Sequence, residues 1–452
     1  MPSPPRVTVV GGGFAGVECA WQLARRGHGV RLVEMRPVRT TDAHETDRLA
    51  EMVCSNSFRS DNPANAVGLL KREMEAVGSV ILGEARKAAV PAGDALAVDR
   101  SVFAEGVTHR VAECPGIEVV RREVEALEAV RGEGRYVVVA TGPLTSDALA
   151  ASLKAALGDG YLYFYDAVAP IVETSSLDLS RLFAASRWGK GGGDDYLNVP
   201  LSKAEYEAFV GELVRGEKAA FHDFEKAVYF EGCLPIEAMA ERGVETLRHG
   251  PMKPFGLRDP RTGSEPYAAV QLRQDDLAKD HVNIVGFQTK LKVGEQKRIF
   301  RTLPGLEDAV FVRYGMLHRN TFLNGPAHLD RLFRWRKDPS VFFAGQLTGV
   351  EGYLESAATG LMVGATLAQL LEGREPVPVP FTTALGSLSR HVSEREERDY
   401  QPANVTFGLM EDDDVPKIRD KAKRREAIAA RALDHVRRWI EDALATPAGR
   451  RP

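Results

Sequence analysis

Apolar residues near the start of the chain predict a strand, a helix and a second strand. Residues 6–10 form a continuous, mostly β-branched run that is typical of a buried parallel strand. Residues 17–26 predict a helix that stops at Gly27, and residues 30–34 predict a strand that ends in Glu34. This order of elements is a βαβ unit.

The later hydrophobic pattern predicts further elements of both kinds. They are a mostly helical region over 45–85, strands at 135–141 and 341–345, and helices over 353–371 and beyond Pro416. Between about 155 and 300 the pattern is less regular. We expect an inserted, substrate-handling domain there. A length of 452 residues suits two or three domains.

Composition narrows the classes of function. The formal net charge is −4, so nucleic-acid binding needs a local basic patch. Four scattered cysteines, Cys19, Cys54, Cys114 and Cys233, form neither a CxxC pair nor a zinc-type cluster, and we expect no disulfide framework and no metal. The first residues do not resemble a signal peptide, and no apolar run would span a bilayer. We expect a cytoplasmic protein that needs no membrane.

A glycine loop follows the first predicted strand. It consists of Gly11, Gly12, Gly13, Phe14, Ala15 and Gly16. The first glycine of a GxGxxG motif permits a tight turn, the second lets the backbone approach a pyrophosphate, and the third lets the helix pack on the strand. Glu34, about 20 residues on, stands where an acceptor for ribose hydroxyls is required. An acidic residue there disfavours a phosphorylated ribose, so this loop predicts tightly bound FAD or NAD.

Two more strand ends predict contacts with the same cofactor. Thr141 and Gly142 close the strand at 135–141, as in flavoproteins that bind two dinucleotides. After the strand at 341–345 comes a glycine turn and a helix rich in small residues, which suit a flat ring. Its candidate cofactor residues are Gly345, Gln346, Glu351, Gly352 and Tyr353. Many flavoproteins have an aspartate where this chain has Gln346.

These features together predict an α/β fold. We expect a Rossmann-like, doubly wound FAD-binding domain of the glutathione-reductase or MnmG type, built from residues 1–150 and 305–452. An inserted α/β domain would occupy residues 151–304. No full second GxGxxG is evident, so a nicotinamide reductant would bind without its own nucleotide fold.

Three stretches resemble the folate- and FAD-dependent tRNA uridine methyltransferase family, TrmFO. They are residues 53–57 (Val-Cys-Ser-Asn-Ser), 231–237 (Glu-Gly-Cys-Leu-Pro-Ile-Glu) and 345–360. Shorter matches lie at 90–93, 250–253, 285–289 and 404–408. The cysteine block at 231–237 is the specific one, because the related MnmG family lacks it and has a longer C-terminus.

The resemblance implies an activity and its cofactors. A one-carbon unit would pass from methylene-tetrahydrofolate to C5 of the T-loop uridine of tRNA. FAD, reduced by NADH or NADPH, would supply the electrons. The partners implied are tRNA and folate, and we expect no obligatory protein partner.

The same resemblance gives two cysteines catalytic roles. C5 of uracil is a poor nucleophile until a thiolate adds at C6. By resemblance Cys233 is that nucleophile, and Cys54 is a second active-site thiol, either a general acid/base or a protecting adduct. Cys19, inside the first helix, and Cys114, before a proline, are interpreted as structural.

Basic residues are the candidates for contact with RNA or the folate tail. One cluster is Lys290, Lys292, Lys297, Arg298 and Arg301, and Lys253 could serve similarly. The C-terminal stretch 417–438 has nine Lys or Arg against three acidic residues. We predict that Lys417, Lys421, Arg424, Arg431 and Arg438 share one face of it, beside a packed face that includes Ala422, Ala429 and Val436.

Other functions stay open from the sequence alone. The same chemistry could act on ribosomal RNA. The chain could also be an MnmG-like wobble-uridine modifier, an FAD-containing RNA-binding protein without turnover, or a simple NAD(P)H-dependent flavoprotein oxidoreductase.

Overall fold

Two six-stranded sheets organise the chain. A computed structural model describes residues 6–41, 43–158, 161–219, 234–395, 400–416 and 418–444, without the side chains of 161–167 and 317–319. The strands are β1 Val7–Val10, β2 Val30–Glu34, β3 Ser57–Ser60, β4 Ala89–Val90, β5 Ala95–Val98, β6 Ile117–Arg121, β7 Tyr136–Val139, β8 Tyr161–Ala167, β9 Ile171–Glu173, β10 Phe183–Ala184, β11 Tyr196–Leu201, β12 Ala268–Gln274, β13 His281–Ile284, β14 Phe311–Arg313, β15 Leu317–Leu323, β16 Arg334–Trp335 and β17 Asp338–Phe343.

Helices surround these sheets. They are α1 Phe14–Ala24, α2 Ala66–Val77, α3 Val80–Lys87, α4 Arg100–Ala112, α5 Asp147–Leu157, α6 Lys203–Arg215, α7 Ile236–Glu241, α8 Thr246–His249, α9 Val293–Phe300, α10 Gly325–His328, α11 Tyr353–Leu371, α12 Ala384–Glu394 and α13 Lys421–Leu444. The expectation of helix over most of 45–85 is only partly right, because Ser57–Ser60 pairs with β5 in a small sheet.

The first sheet has the order β16-β17-β7-β1-β2-β6, and only β16 is antiparallel. Val10 lies level with both Val33 and Val139, and Val139 lies level with Phe343. The residues that follow these strands therefore emerge at one edge of the sheet. Ligands of open parallel sheets bind at this carboxyl edge. The predicted Rossmann-like α/β fold is confirmed.

Helix α11 crosses the core beneath this edge. Its packing on α1 requires glycine: a Cβ at Gly360 would lie 2.1 Å from the carbonyl oxygen of Ala15. Within the described residues α11 is the one helix long and apolar enough to cross a membrane, but 94% of that window is buried inside the protein. This helix belongs to the same core as α13, so both ends of the chain build one unit.

The second sheet is antiparallel, with the order β10-β11-β12-β13-β9-β14. Val270 and Leu272 of β12 point into a core that α6 and α9 cover. Gln271 and Arg273 alternate with them, and they therefore point to the opposite face of the sheet. The predicted domain border at 304 falls before β14, the last strand of this sheet.

Candidate active site

The glycine loop lies between β1 and α1 and lines a cleft. Gly11 has a φ of +106°, and a Cβ there would lie 2.4 Å from the carbonyl oxygen of Ala140. A Cβ at Gly16 would lie 1.8 Å from the carbonyl oxygen of Gly11. At Gly13 no heavy atom lies within 4 Å of the Cβ position, so this glycine leaves room beside the start of α1. Turn, open approach and close packing are the three roles that a dinucleotide loop requires.

Glu34 stands at the end of β2 beside this loop. Its carboxylate accepts the Gly12 N–H at 2.8 Å and bonds to Arg36. Burial would raise the pKa of Glu34, but the Arg36 guanidinium and the backbone N–H groups hold it below its ordinary value. Thr141 lines the same cleft. A buried, ionised acceptor beside an open glycine fits the ribose and pyrophosphate of FAD.

The glycine turn after β17 is fixed by hydrogen bonds to α11 and to residues further along the chain. Gly345 donates its N–H to Thr359 Oγ1 at 2.7 Å, which fixes the turn on α11. Gln346 donates to Glu351 Oε2 at 2.6 Å. Asn404 donates to the carbonyl oxygen of Glu351, so the block at 404–408 lies against this turn. Gly142 has a φ of +67°, as a tight turn after β7 requires.

The cleft lined by Gly11–Gly13, Glu34 and Thr141 is called the dinucleotide cleft below. A second cavity adjoins it, and Leu144 lines both. Its walls include three distant parts of the chain: the Cys54 loop, strand β12 and the glycine turn. The principal lining residues are Cys54, Arg59, Arg273, Gln346, Glu351, Gly352, Tyr353 and Asn404. The structure thus brings one predicted catalytic cysteine together with the predicted ring-binding turn.

Tyr353 links the Cys54 loop to the start of α1. Its hydroxyl accepts the Cys54 N–H at 2.7 Å and lies 2.8 Å from the Cys54 sulfur. Its ring stacks on Phe14, with centroids 4.7 Å apart. Burial, and then the neighbouring Cys54, raises the pKa of Tyr353 well above its ordinary value. The hydroxyl therefore keeps its proton at neutral pH, available to the sulfur.

Arg273 is buried behind the Cys54 loop. It donates to Asn56 Oδ1 at 2.8 Å and to Ser55 Oγ at 3.1 Å. Asn56 donates in turn to the carbonyl oxygens of Val98 and Gln274, so the loop is tied to both β5 and β12. A fixed positive charge at this place stabilises negative charge on a nearby sulfur.

Arg59 also lines the cavity and bonds to Glu355, a fully buried carboxylate in the first turn of α11. Arg59 has a φ of +61°, and Lys71 donates to the carbonyl oxygen of the next residue, Ser60, at 2.7 Å. Burial lowers the pKa of Lys71 to about 7. Glu355 also accepts the Val405 N–H, which joins α11 to the block at 404–408.

Cys233 lies outside the described residues, within 220–233. Three residues further along the chain, the Ile236 N–H donates to the carbonyl oxygen of Gln288. Glu237 accepts from Thr289 Oγ1 and from the Lys290 N–H, both at 2.8 Å, and burial raises its pKa. Residues 234–237, the described part of the block at 231–237, therefore meet the block at 285–289 beside Val168, which lines the Cys54 cavity.

Ion pairs neutralise two residues of the predicted basic cluster near α9. Arg298 bonds to both Glu295 and Glu212, and Lys292 pairs with Glu217 at 2.8 Å. Glu295 lies one turn before Arg298 on α9, whereas Glu212 and Glu217 come from α6 and the residues after it, so sequence spacing does not reveal those two. Lys297 and Lys253 are exposed and make no ion pair within the described part of the chain.

Acidic residues outside the C-terminal helix α13 neutralise part of its positive charge. Arg424 pairs with Asp412, and Arg431 pairs with Asp414. Lys421 is exposed and makes no ion pair among the described residues, while Lys417 lies outside them. The prediction that Ala422 is packed is wrong, because burial along α13 begins only at Ile428.

The other two described cysteines, Cys19 and Cys114, do not line the cavity. Cys19 is fully buried in α1, and burial raises its pKa far above the ordinary thiol range. Cys114 follows α4, away from the residues that line the cavity. Among the described residues no group of three or more histidines, cysteines or acids is placed to hold a metal ion.

Comparison with known proteins decides the family. The chain is 53% identical over 438 residues to the methylenetetrahydrofolate–tRNA-(uracil-5-)-methyltransferase TrmFO of Pelotomaculum thermopropionicum, covering 97% of this chain and 99% of the relative. The TrmFO of Anaeromyxobacter dehalogenans strain 2CP-C is 55% identical over 446 residues, with 97% of both chains covered. The chain belongs to the TrmFO family.

Other comparisons agree with this TrmFO membership. The family model "Glucose inhibited division protein A" matches residues 6–375. The structure of Aquifex aeolicus GidA in its form I crystal has a TM-score of 0.69 at 17% identity, covering 98% of this chain and 77% of that one. The form II crystal gives 0.68 at 16% identity. At such identity these structures show the fold alone, and the fold is the one expected from the glycine motifs.

Proposed function

We propose that the chain transfers the one-carbon unit of methylene-tetrahydrofolate to C5 of a uracil in tRNA. The observation that carries the proposal is the shared cavity of Cys54, Tyr353 and the glycine turn, next to a dinucleotide cleft. The names of the relatives support this activity and do not favour ribosomal RNA, wobble-uridine modification or simple oxidation. The T loop, implied by resemblance, is the proposed position.

The dinucleotide cleft would hold FAD through the open approach at Gly13, the Glu34 carboxylate and the turn from Gly345. When bound and reduced by NAD(P)H, FAD supplies the two electrons that convert a methylene into a methyl group. We assign the flat-ring end to the cavity where Gln346 and Tyr353 meet. The start of α11 then offers its positive dipole end to the ring.

Cys233 is the proposed nucleophile. Its thiolate would add to C6 of the uracil, and the resulting enolate would attack the one-carbon unit through C5. Removal of the C5 proton would then release tetrahydrofolate and leave an exocyclic methylene at C5. Addition of a hydride to that carbon, with the electrons that reduced FAD would supply, would give the methyl group, expel the thiolate and restore the ring. The meeting of residues 234–237 with the block at 285–289 beside Val168 supports a position near the cavity.

Cys54 is proposed as the group that handles the C5 proton. Its sulfur lies against a hydroxyl that keeps its own proton, and Arg273 places a positive charge behind its loop. A thiolate held in this way can accept a proton from carbon and return it through the tyrosine. This assignment makes Cys54 necessary after the carbon–carbon bond has formed.

The test combines product and adduct measurements. Purified protein would be incubated with unmodified tRNA, methylene-tetrahydrofolate and NAD(P)H, and 5-methyluridine would be quantified by nucleoside mass spectrometry. Covalent protein–RNA adducts would be followed on denaturing gels. A tRNA with cytidine in place of the T-loop uridine tests the position.

The cysteine variants then separate the two roles. Cys233→Ala should give neither adduct nor product, and Cys54→Ala should give adduct without product. Cys114→Ala, a matched control outside the cavity, should behave as the wild type. Product from Cys233→Ala would reject the nucleophile, and product at normal rate from Cys54→Ala would reject the proton role.

A further inference from the structure

Trp188 presents its side chain to solvent at an unusual place in the backbone. The residue is 69% exposed and has a φ of +60°. A bulky residue rarely adopts this left-handed conformation, which stores backbone strain. Its N–H donates to the carbonyl oxygen of Gly256 at 2.9 Å, which holds the conformation. The fold therefore fixes an indole outside the core at a cost in stability.

Gly256 supports this indole from below. A Cβ at Gly256 would lie 2.6–2.8 Å from three atoms of the Trp188 ring system. Three similar distances place the glycine backbone against one ring face, because an edge contact would bring one or two atoms close. The other face is then available to a flat partner. Any residue other than glycine at 256 would displace the ring.

The surroundings are aromatic and basic. Phe255 is 42% exposed, and the Arg248 guanidinium lies 5.9 Å from its ring centroid. Lys253 and Arg258 are exposed and make no ion pair in the part of the chain that the structure describes. Exposed aromatic rings among free cations are the composition of surfaces that bind single-stranded nucleic acid.

The patch also lies along the same sheet face as the Cys54 cavity. Arg187, next to Trp188, bonds to Gln271 and to the carbonyl oxygen of Lys253. Gln271 shares one face of β12 with Arg273, and same-face neighbours on a strand are roughly 7 Å apart. Since Arg273 lines the cavity, the indole and the cavity lie along the same sheet face.

We propose that Trp188, with Phe255 beside it, is a stacking platform for an unpaired base of the RNA that flanks the base entering the cavity. The proposal rests on the proposed function, because an RNA substrate is assumed. Bases in loops are recognised by stacking on aromatic rings, and a base must leave its stack to be modified. Lys253 and Arg258 would contact the adjoining phosphates.

The test measures binding of the FAD-loaded protein to an unmodified tRNA transcript. Trp188→Ala should weaken the Kd by about 5- to 150-fold, the range of base–aromatic stacking. Trp188→Phe should recover most of the affinity. The slope of log Kd against log salt should be unchanged in Trp188→Ala, whereas Lys253→Ala should lower it by about one. Tryptophan fluorescence of the wild type should be quenched by the RNA, and Trp188→Phe should lose that part of the quenching.

Val310→Ala is the matched control. Val310 is 44% exposed and precedes β14, at the opposite edge of the sheet from β10. All variants should keep their FAD content and their NAD(P)H oxidation without RNA. If the wild type forms 5-methyluridine but Trp188→Ala binds tRNA as Val310→Ala does, the platform is rejected and the function stands. If the wild type neither binds nor methylates tRNA, the proposed function fails. Should Trp188→Ala not fold, equal quenching in wild type and Trp188→Phe rejects the platform.

Discussion

The hydroxyl of Tyr353 lies 2.8 Å from the sulfur of Cys54, although 299 residues separate the two in sequence. The ring of the same tyrosine stacks on Phe14 in the first turn of α1. One side chain thus joins the candidate catalytic thiol to the glycine loop of the dinucleotide cleft. The sequence predicts Tyr353 only as a cofactor contact, whereas the structure also makes it a hydrogen-bond partner of Cys54.

Tyr353→Phe separates the ring from the hydroxyl. The variant should keep its FAD, because the stacking on Phe14 is retained, but single-turnover formation of 5-methyluridine should fall by about 100-fold or more. Tyr206→Phe removes the hydroxyl of a buried tyrosine in the other core, which donates to the carbonyl oxygen of Val244. That control should lose stability but not rate. Equal rates in Tyr353→Phe and wild type would reject the proton path.

Arg273 should control the reactivity of Cys54 toward alkylating agents. Arg273→Gln removes the buried positive charge, so iodoacetamide should label Cys54 more slowly at pH 8, as peptide mass spectrometry would show. Arg273→Lys keeps the charge but loses the forked contact with Ser55 and Asn56. We expect an intermediate labelling rate from it. Labelling that is unchanged in Arg273→Gln would contradict the electrostatic role.

Gly13 and Gly16 should fail in different ways when changed to alanine. At Gly13 a Cβ meets no protein atom, so the protein without FAD should lose no more than about 1 kcal/mol while FAD affinity falls by at least about tenfold. At Gly16 a Cβ would lie 1.8 Å from a backbone oxygen, so Gly16→Ala should unfold the protein even without FAD. Gly83→Ala, also with open space, is the control that should retain FAD. FAD titration and thermal unfolding distinguish these cases, and unchanged FAD affinity in Gly13→Ala would place the pyrophosphate elsewhere.

Glu73 should make stability depend on pH. This buried carboxyl accepts the N–H groups of Ala384 and Leu385 at the start of α12, and burial raises its pKa to about 8. A raised pKa means that the folded state binds a proton more tightly than the unfolded state. Its stabilising contribution is therefore full below about pH 4.5 and is lost as pH rises through about 8. Between pH 5 and 9 the wild type should lose more unfolding free energy, by up to a few kcal/mol, than Glu73→Gln in denaturant titrations. Parallel pH profiles would contradict this.

Short-range sequence patterns predicted the cofactor end of the site. Gly11, Gly13 and Glu34 follow strands, and residues that follow parallel strands necessarily meet at one sheet edge. The same argument puts Gly345, which follows β17, at this edge. The family resemblance predicted Cys54 as an active-site thiol. Nothing in a single sequence indicates that the Tyr353 hydroxyl lies against its sulfur.

Arg273, Asn56 and Arg59 were missed because their importance comes from tertiary contacts. A charged residue alternating with apolar ones in the strand Ala268–Gln274 is a signal that could have singled out Arg273. The ion pairs within the basic clusters could not be predicted for the same reason. Acidic partners such as Glu212 and Asp414 approach Arg298 and Arg431 only after folding.

The most direct test of the central claim is the origin of the transferred carbon. The protein would be incubated with unmodified tRNA, NAD(P)H and methylene-tetrahydrofolate that carries ¹³C in its methylene group. We predict 5-methyluridine one mass unit heavier, and no product when folate or NAD(P)H is omitted. Unlabelled product, or NAD(P)H oxidation without any 5-methyluridine in the tRNA, would contradict the proposed function.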